Sequence, residues 1–311
     1  MCSRRLSALS ETLSPTKIVG RFAPSPTGPM HFGSLLAAVA SFLDARAAGG
    51  YWRLRIDDLD TPRVVPDCDR LLMATLKHFG LHWDAPVMYQ SSRRDAHRQA
   101  VADLLTTGQG FVCGCTRAES QGGPMGLEGP MYPGTCRDRG LHDVAGRSVR
   151  AKVPHDLFGV SDRVLGEYTQ NLGRDVGDFV VRRRDRIASY QLATVVDDAA
   201  QGITDVVRGA DLLTSAPRQA WLRQALGLPA VSSAHIPLIK TSTGGKLGKS
   251  TGATALSTRE PGRQIWRCLE LLGQQPPNRL RHSSPKPVLE WAIDHWNLAT
   301  VPRRSVVLPE A

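Results

Sequence analysis

A chain of 311 residues with 41% apolar residues has material for two domains or for one large domain carrying an insertion. No apolar run approaches the ~18 residues of a membrane span, so no membrane partner is expected. The net charge of +10 favours contact with a polyanion and also fits a high-pI enzyme, while six unevenly spaced cysteines exclude a disulfide framework and fit a reducing cytoplasm.

Residues 1–16, "MCSRRLSALSETLSPT", lack the apolar centre of a secretory signal and are expected to be a disordered lead or the product of an early start codon. Ile18 to Phe22 reads as a strand. A loop with three prolines follows, and then Leu35, Leu36, Val39, Phe42 and Leu43 recur at helical spacing until Gly49 and Gly50. In "YWRLRI", Trp52, Leu54 and Ile56 point one way and Arg53 and Arg55 the other, as in a strand. Strand, helix and strand make a βαβ unit, so a parallel sheet is expected, with a ligand site beyond the carboxyl ends of its strands. Helical patterns follow over Asp69 to Phe79 and Arg94 to Leu105.

Between Cys113 and Gly146 the chain is dense in glycine and loses periodicity, which marks an insertion. Regular pattern returns with strands at Phe179 to Val181 and Ile203 to Val207 around a helix, completing the parallel sheet. Past the glycine-rich "TSTGGKLGKS", helical patterns cover Gln264 to Leu272 and Val288 to Trp296. The expected organisation is an α/β domain in two halves, 17–110 and 176–240, an insertion over 111–175, and a lysine loop with a small helical region over 241–311.

His31 and Gly33 sit where the proline-rich loop becomes a helix, and a helix start offers unpaired N–H groups and a positive dipole end to a phosphate. Gly33 lets a nucleotide approach the backbone, and His31 can donate to a phosphoryl oxygen; simple packing of His31 in the loop is the alternative. "KLGKS" is no P-loop, because Thr243 stands where that motif needs glycine. A glycine-rich loop presenting Lys246 and Lys249 to a polyphosphate fits, as does a solvated lysine pair. Cys113, Cys115 and Cys136 suggest tetrahedral zinc, with Asp138, His142 or Tyr132 as fourth ligand and histidine the usual chemical choice; three free thiols are the alternative. Cys2, Cys68 and Cys268 are left unligated.

"RFAPSPTGPMHFGS" resembles the first signature of the class I aminoacyl-tRNA synthetases in their glutamyl form, and "KLGKS" resembles the second, usually written KMSKS. "RLRIDDLD" resembles their RxEDTD segment, and "VVDD" followed by "VRGADLL" matches their later sheet segment; the resemblance spans about residues 17 to 300. It implies a Rossmann-like sheet that binds ATP with Mg²⁺ and activates L-glutamate as an adenylate. By the same resemblance His31 and Lys249 carry the chemistry at the phosphates, with Gly33, Ser34 and Lys246 also at ATP. Arg21, Ser25, Tyr190 and Arg208 are implied to line the glutamate pocket, with Asp57 facing the ammonium where relatives have glutamate. Gly248 as third residue of the lysine loop is a second departure. The resemblance also makes Tyr132 the fourth ligand of a structural Zn²⁺, beside Cys113, Cys115 and Cys136.

The stretch after Ser250 is too short for the helical domain with which glutamyl-tRNA synthetases grip the anticodon. This shortened architecture is similar to the glutamyl-Q tRNA(Asp) synthetase family, which implies the anticodon arm of tRNA(Asp), carrying queuosine, as the RNA partner. The alternatives are a truncated glutamyl-tRNA synthetase charging tRNA(Glu), a ligase passing glutamate to a protein carrier, and a zinc-dependent RNA-binding module without catalysis. Sequence sets no oligomeric state, and a monomer is the working expectation.

Overall fold

β1 (Val19–Phe22) and β2 (Tyr51–Ile56) run parallel in the computed structural model, which describes residues 17–240 and 256–307. The helix between them, α1 (Phe32–Ala47), buries Leu35, Leu36, Val39 and Leu43, the positions its helical spacing singles out. Trp52 of β2 stacks on Phe22 of β1 and meets the edge of Phe42 from α1, so one side chain locks strand, strand and helix together. α2 (Cys68–His78) leads to β3 (Met88–Tyr89), which extends the parallel ladder beyond β2, and α3 (Arg94–Thr106) follows.

The next segment forms its own antiparallel structure. β4 (Gly110–Cys113), the single-turn α4 (Arg117–Ser120) and the short pair β5 (Met125–Gly126) and β6 (Gly129–Pro130) precede β7 (Ser148–Ala151). A hairpin of β8 (Leu157–Asp162) and β9 (Gly166–Asn171) comes next, then α5 (Leu172–Asp175), β10 (Val180–Arg182) and α6 (Tyr190–Ala200). β7 lies between β4 and β10, antiparallel to both. This corrects the sequence expectation that the strand near Val181 completes the parallel sheet. A short apolar run identifies a strand without naming its partner, and here the partner is β7. The "VVDD" segment lies in α6, the helix expected between those two strands.

β11 (Asp205–Gly209) and β12 (Ser232–Ile236) also run parallel, connected through α7 (Ala216–Ala225). Thr204 ties β11 to β1, donating its backbone N–H to the Val19 carbonyl at 3.0 Å and accepting the Val19 N–H at its hydroxyl. β8 borders the far side of β12, where Asp162 stands opposite Ser233. The hairpin of the central segment therefore joins the catalytic sheet edge.

β13 (Ile239–Lys240) pairs with β14 (Val306–Val307). Between them α8 (Pro261–Leu271) and α9 (Pro285–His295) each begin at a proline, where the missing N–H costs nothing. Both helices pack on α1, and Ile265, Trp266, Leu269, Val288 and Leu289 share one core with Leu36 and Val39. Among the described residues no helix is long and apolar enough to cross a membrane.

Leu269 is completely buried at that junction. Leu269→Ala is expected to cost about 2–5 kcal/mol, read from the urea midpoint, with core and terminal helices melting in one transition. A loss below about 1 kcal/mol would show that α8 contributes little to the shared core.

Candidate active site and metal centre

The carboxyl ends of β1, β2 and β11 bring charged side chains into the core, and one carboxylate organises them. Asp198 of α6 accepts from Arg55 Nη1 at 2.5 Å, Arg223 Nη2 at 3.2 Å and Arg21 Nε at 3.4 Å. All four residues are buried. Burial alone would push the Asp198 pKa up, but Arg21, Arg55 and Arg223 outweigh it and hold the carboxyl below its ordinary value. Arg55 also donates from Nε to Asp57 at 2.7 Å, while burial lifts the Asp57 carboxyl against the pull of Arg55.

Arg21, Arg55, Asp57, Tyr190 and Arg208 line a cavity of about 130 Å³. Tyr190 opens α6 directly after Ser189, whose hydroxyl caps that helix, and its own hydroxyl lies 3.5 Å from Arg208 Nη1. Burial holds the Arg208 guanidinium below its ordinary value, Tyr190 opposes that, and Arg21 adds to it. Arg55 Nη2 is buried without a hydrogen-bond partner among the described residues. A cavity with surplus buried guanidinium groups and one carboxylate suits a small zwitterion rich in carboxylate.

A second cavity, of about 530 Å³, shares Phe22, Ala37, Gly209 and Leu212 with the first. His31, Gly33 and Ser34 line it at the start of α1, and Ser25 lines it too, so Ser25 stands apart from the small cavity that holds Arg21 and Arg208. His31 is the N-cap of α1, and its Nδ1 accepts from the Ser34 N–H at 3.3 Å. In the neutral ring the proton then sits on Nε2, 3.1 Å from the Ser34 hydroxyl. In the preceding loop Gly28 adopts φ 136°, a conformation that disfavours a side chain. Lys246, Gly248 and Lys249 lie outside the described residues.

Cys113, Cys115 and Cys136 form the third feature, with sulfur atoms all within 4.8 Å of one another. The Tyr132 hydroxyl lies 3.4 Å from both Cys113 Sγ and Cys115 Sγ, and Cys115 Sγ lies 3.4 Å from Cys136 Sγ. Edges of this length match a tetrahedron of donors around an ion with bonds of about 2.0–2.3 Å, so the cluster can hold a metal. Asp138 is exposed and paired with Lys152 at 2.8 Å, and neither it nor His142 joins the cluster. The Arg150 guanidinium lies over the Tyr132 ring at 4.0 Å. Burial raises the Cys136 thiol, but hydrogen bonds from Tyr132, the Gly114 backbone and the neighbouring thiols bring it down to about 7, near the range where a thiolate ligand forms. Cys68 and Cys268 are buried elsewhere and form no disulfide among the described residues.

Residues 17–264 match the family described as tRNA synthetases class I (E and Q), catalytic domain. A glutamyl-Q tRNA(Asp) synthetase of Thiobacillus denitrificans is 48% identical over 96% of this chain and 100% of its own length. The chain belongs to the glutamyl-Q tRNA(Asp) synthetase family. A Pseudomonas aeruginosa member of this family is 47% identical over 94% of this chain and 97% of its own length. Among solved structures, a glutamate tRNA ligase from Elizabethkingia meningosepticum, crystallised with its amino acid, is similar at 27% identity and a TM-score of 0.78, covering 94% of this chain and 67% of that one.

For this synthetase family member, sequence reasoning reached the cavity-lining Arg21, Asp57, Tyr190 and Arg208 but missed Asp198, Arg223, Gln219, Asp162 and His235. Their pairings join segments distant in the chain. Only the adjacent "DD" of 197–198, acidic in an apolar helix, hinted at a buried charge.

Asp198→Asn is expected to destabilise the fold by about 3–5 kcal/mol at neutral pH, because three guanidinium groups lose their shared anion. Since folding lowers the Asp198 pKa, its contribution is complete above the unfolded value of about 4 and is lost as pH falls through the depressed one. Thermal unfolding between neutral pH and strong acid should show a shallower acid limb in the variant. An unchanged limb and unchanged midpoint would refute the clamp.

Proposed function

We propose that this chain activates L-glutamate with ATP and transfers it to the queuosine base at the wobble position of tRNA(Asp). One arrangement carries the reading: Arg21, Arg208 and Asp57 around an amino-acid-sized cavity whose walls continue into the larger cavity at the N-terminus of α1. Arg21 and Arg208 receive the substrate carboxylates, Asp57 the ammonium, and Tyr190 closes one side. The names and near-complete overlap of the most similar relatives support the same acceptor.

ATP occupies the larger cavity with its phosphates toward Gly33 and Ser34, and Mg²⁺ enters as its counterion. The glutamate α-carboxylate attacks the α-phosphorus; a carboxylate–phosphorus bond forms as the bond to pyrophosphate breaks. His31 donates its Nε2 proton as a hydrogen bond to the phosphoryl oxygen, and Lys246 and Lys249 stabilise the charge moving onto pyrophosphate. An RNA hydroxyl then attacks the acyl carbon, loses its proton and displaces AMP. Positioning and charge stabilisation supply the rate. Cys113, Cys115, Cys136 and Tyr132 hold Zn²⁺, whose part is to cross-link a glycine-rich segment with little core of its own.

The fold likeness to glutamate tRNA ligases favours one rival, charging of the 3′ end of tRNA(Glu). Labelled glutamate, offered with queuosine-containing tRNA(Asp) and with tRNA(Glu), is expected on the queuosine nucleoside after nuclease digestion. Arg208→Ala should lower glutamate-dependent pyrophosphate exchange by about 10²-fold or more. Label on the terminal adenosine of tRNA(Glu) would overturn the acceptor.

Elemental analysis of the purified protein is expected to find close to a single zinc ion per chain, and Cys136→Ala to lose it together with thermal stability. A zinc-free protein of unchanged melting temperature would leave the cysteines as plain thiols.

A further inference from the structure

Arg208 and His235 face each other in register on the parallel strands β11 and β12, and Asp162 of β8 stands beside them. All three are buried, His235 completely. Asp162 Oδ2 lies 2.6 Å from His235 Nδ1, while Asp162 Oδ1 accepts the backbone N–H groups of Val164, Leu165 and His235. Arg208 Nε lies 2.9 Å from His235 Nε2, and Arg208 Nη1 donates to Gln219 Oε1 at 2.8 Å.

Hydrogen-bond chemistry leaves a single assignment for this chain. Arginine Nε only donates, so His235 Nε2 must present its lone pair. An ionised carboxylate only accepts, so the ring proton must sit on Nδ1, and the imidazole is neutral. Burial holds the His235 pKa down, the Asp162 hydrogen bond and charge oppose it, and Arg208 and Arg21 add to the lowering. Among the described residues, these are the charged side chains that act most strongly on the ring, from β8, β11 and β1 respectively.

We propose that Asp162 and His235 are positioning residues: Asp162 sets the tautomer of His235, and His235 Nε2 sets the plane of the Arg208 guanidinium that receives the substrate carboxylate. The inference rests on the glutamate reading of Arg208 given above. It makes the hairpin of the central segment a part of amino-acid recognition, since Asp162 comes from β8.

The decisive variant is Asp162→Asn. Its amide donates to Nδ1, the ring proton moves to Nε2, and an N–H then faces the Arg208 N–H. Glutamate-dependent pyrophosphate exchange should show KM for glutamate raised about tenfold or more, with KM for ATP within about twofold of wild type. His235→Leu should do the same. His235→Gln, able to donate to Asp162 and accept from Arg208, should recover most of the glutamate affinity. A merely structural role would lower the active fraction, and so kcat, in all variants without separating the two KM values. Glutamate KM unchanged in both Asp162→Asn and His235→Leu would overturn the proposal. If Asp162→Asn fails to fold, the His235→Gln and His235→Leu pair decides. Imidazole 15N shifts of the wild-type protein give an activity-free reading: a proton on Nδ1 supports the relay, and a proton on Nε2 overturns it. Wild-type protein without any glutamate-dependent exchange would sink the glutamate reading itself, which this control tells apart.

Discussion

A carboxylate buried among three guanidinium groups is the constraint from which the candidate site follows. Taking Asp198 out of water is costly, and no single arginine would offset it. Arg21 comes from β1, Arg55 from β2 and Arg223 from α7, while Asp198 itself comes from α6. The clamp therefore closes only when β1, β2, α6 and α7 are all in place. Site assembly and fold completion are one event. Arg55 passes the constraint on to Asp57, so the anionic wall of the small cavity is set by the same contact.

The phosphate side depends on a different economy of parts. α1 belongs to the core along its length, through Leu35, Leu36, Val39 and Leu43, yet its first turn opens into the larger cavity. The terminal helices α8 and α9 rest on the same helix. Leu269, outside both cavities, thus supports the helix whose first turn lines the larger one. Rigid backing fixes the first turn of α1, where the Ser34 N–H meets the His31 ring, and a preset arrangement of this kind is what electrostatic stabilisation requires.

How much of this was legible depended on how local each signal was. Alternation in "YWRLRI" and helical spacing after Leu35 revealed β1, α1 and β2, because those periods are properties of the segment itself. The motif residues Arg21, Asp57, Tyr190 and Arg208 likewise fall in recognisable stretches, and the structure gathers them around one cavity. Ser25 went to the neighbouring cavity, and the lysine loop lies outside the described residues. The strand at Val180 was visible, but its partner was not, since nothing in three residues encodes antiparallel pairing with β7. Asp162, His235 and Arg223 were out of reach for the same reason: an aspartate in a hairpin gives no sign that a histidine 73 residues away will need its charge.

Charge balance across the connected groups bears on what the site can hold. Arg21, Arg55, Arg208 and Arg223 contribute four positive charges; Asp57, Asp198 and Asp162 contribute three negative ones, with His235 neutral between Asp162 and Arg208. The set is left with a single surplus positive charge in a region shielded from water. An amino acid with one ammonium and two carboxylates cancels it, whereas glutamine or another neutral zwitterion would leave the surplus in place. Arg55 Nη2, buried and without a partner among the described residues, is one place where that surplus is felt. In a low-dielectric region a ligand that brings one net negative charge leaves no buried charge without a counter-ion, which favours an acidic zwitterion over a neutral one.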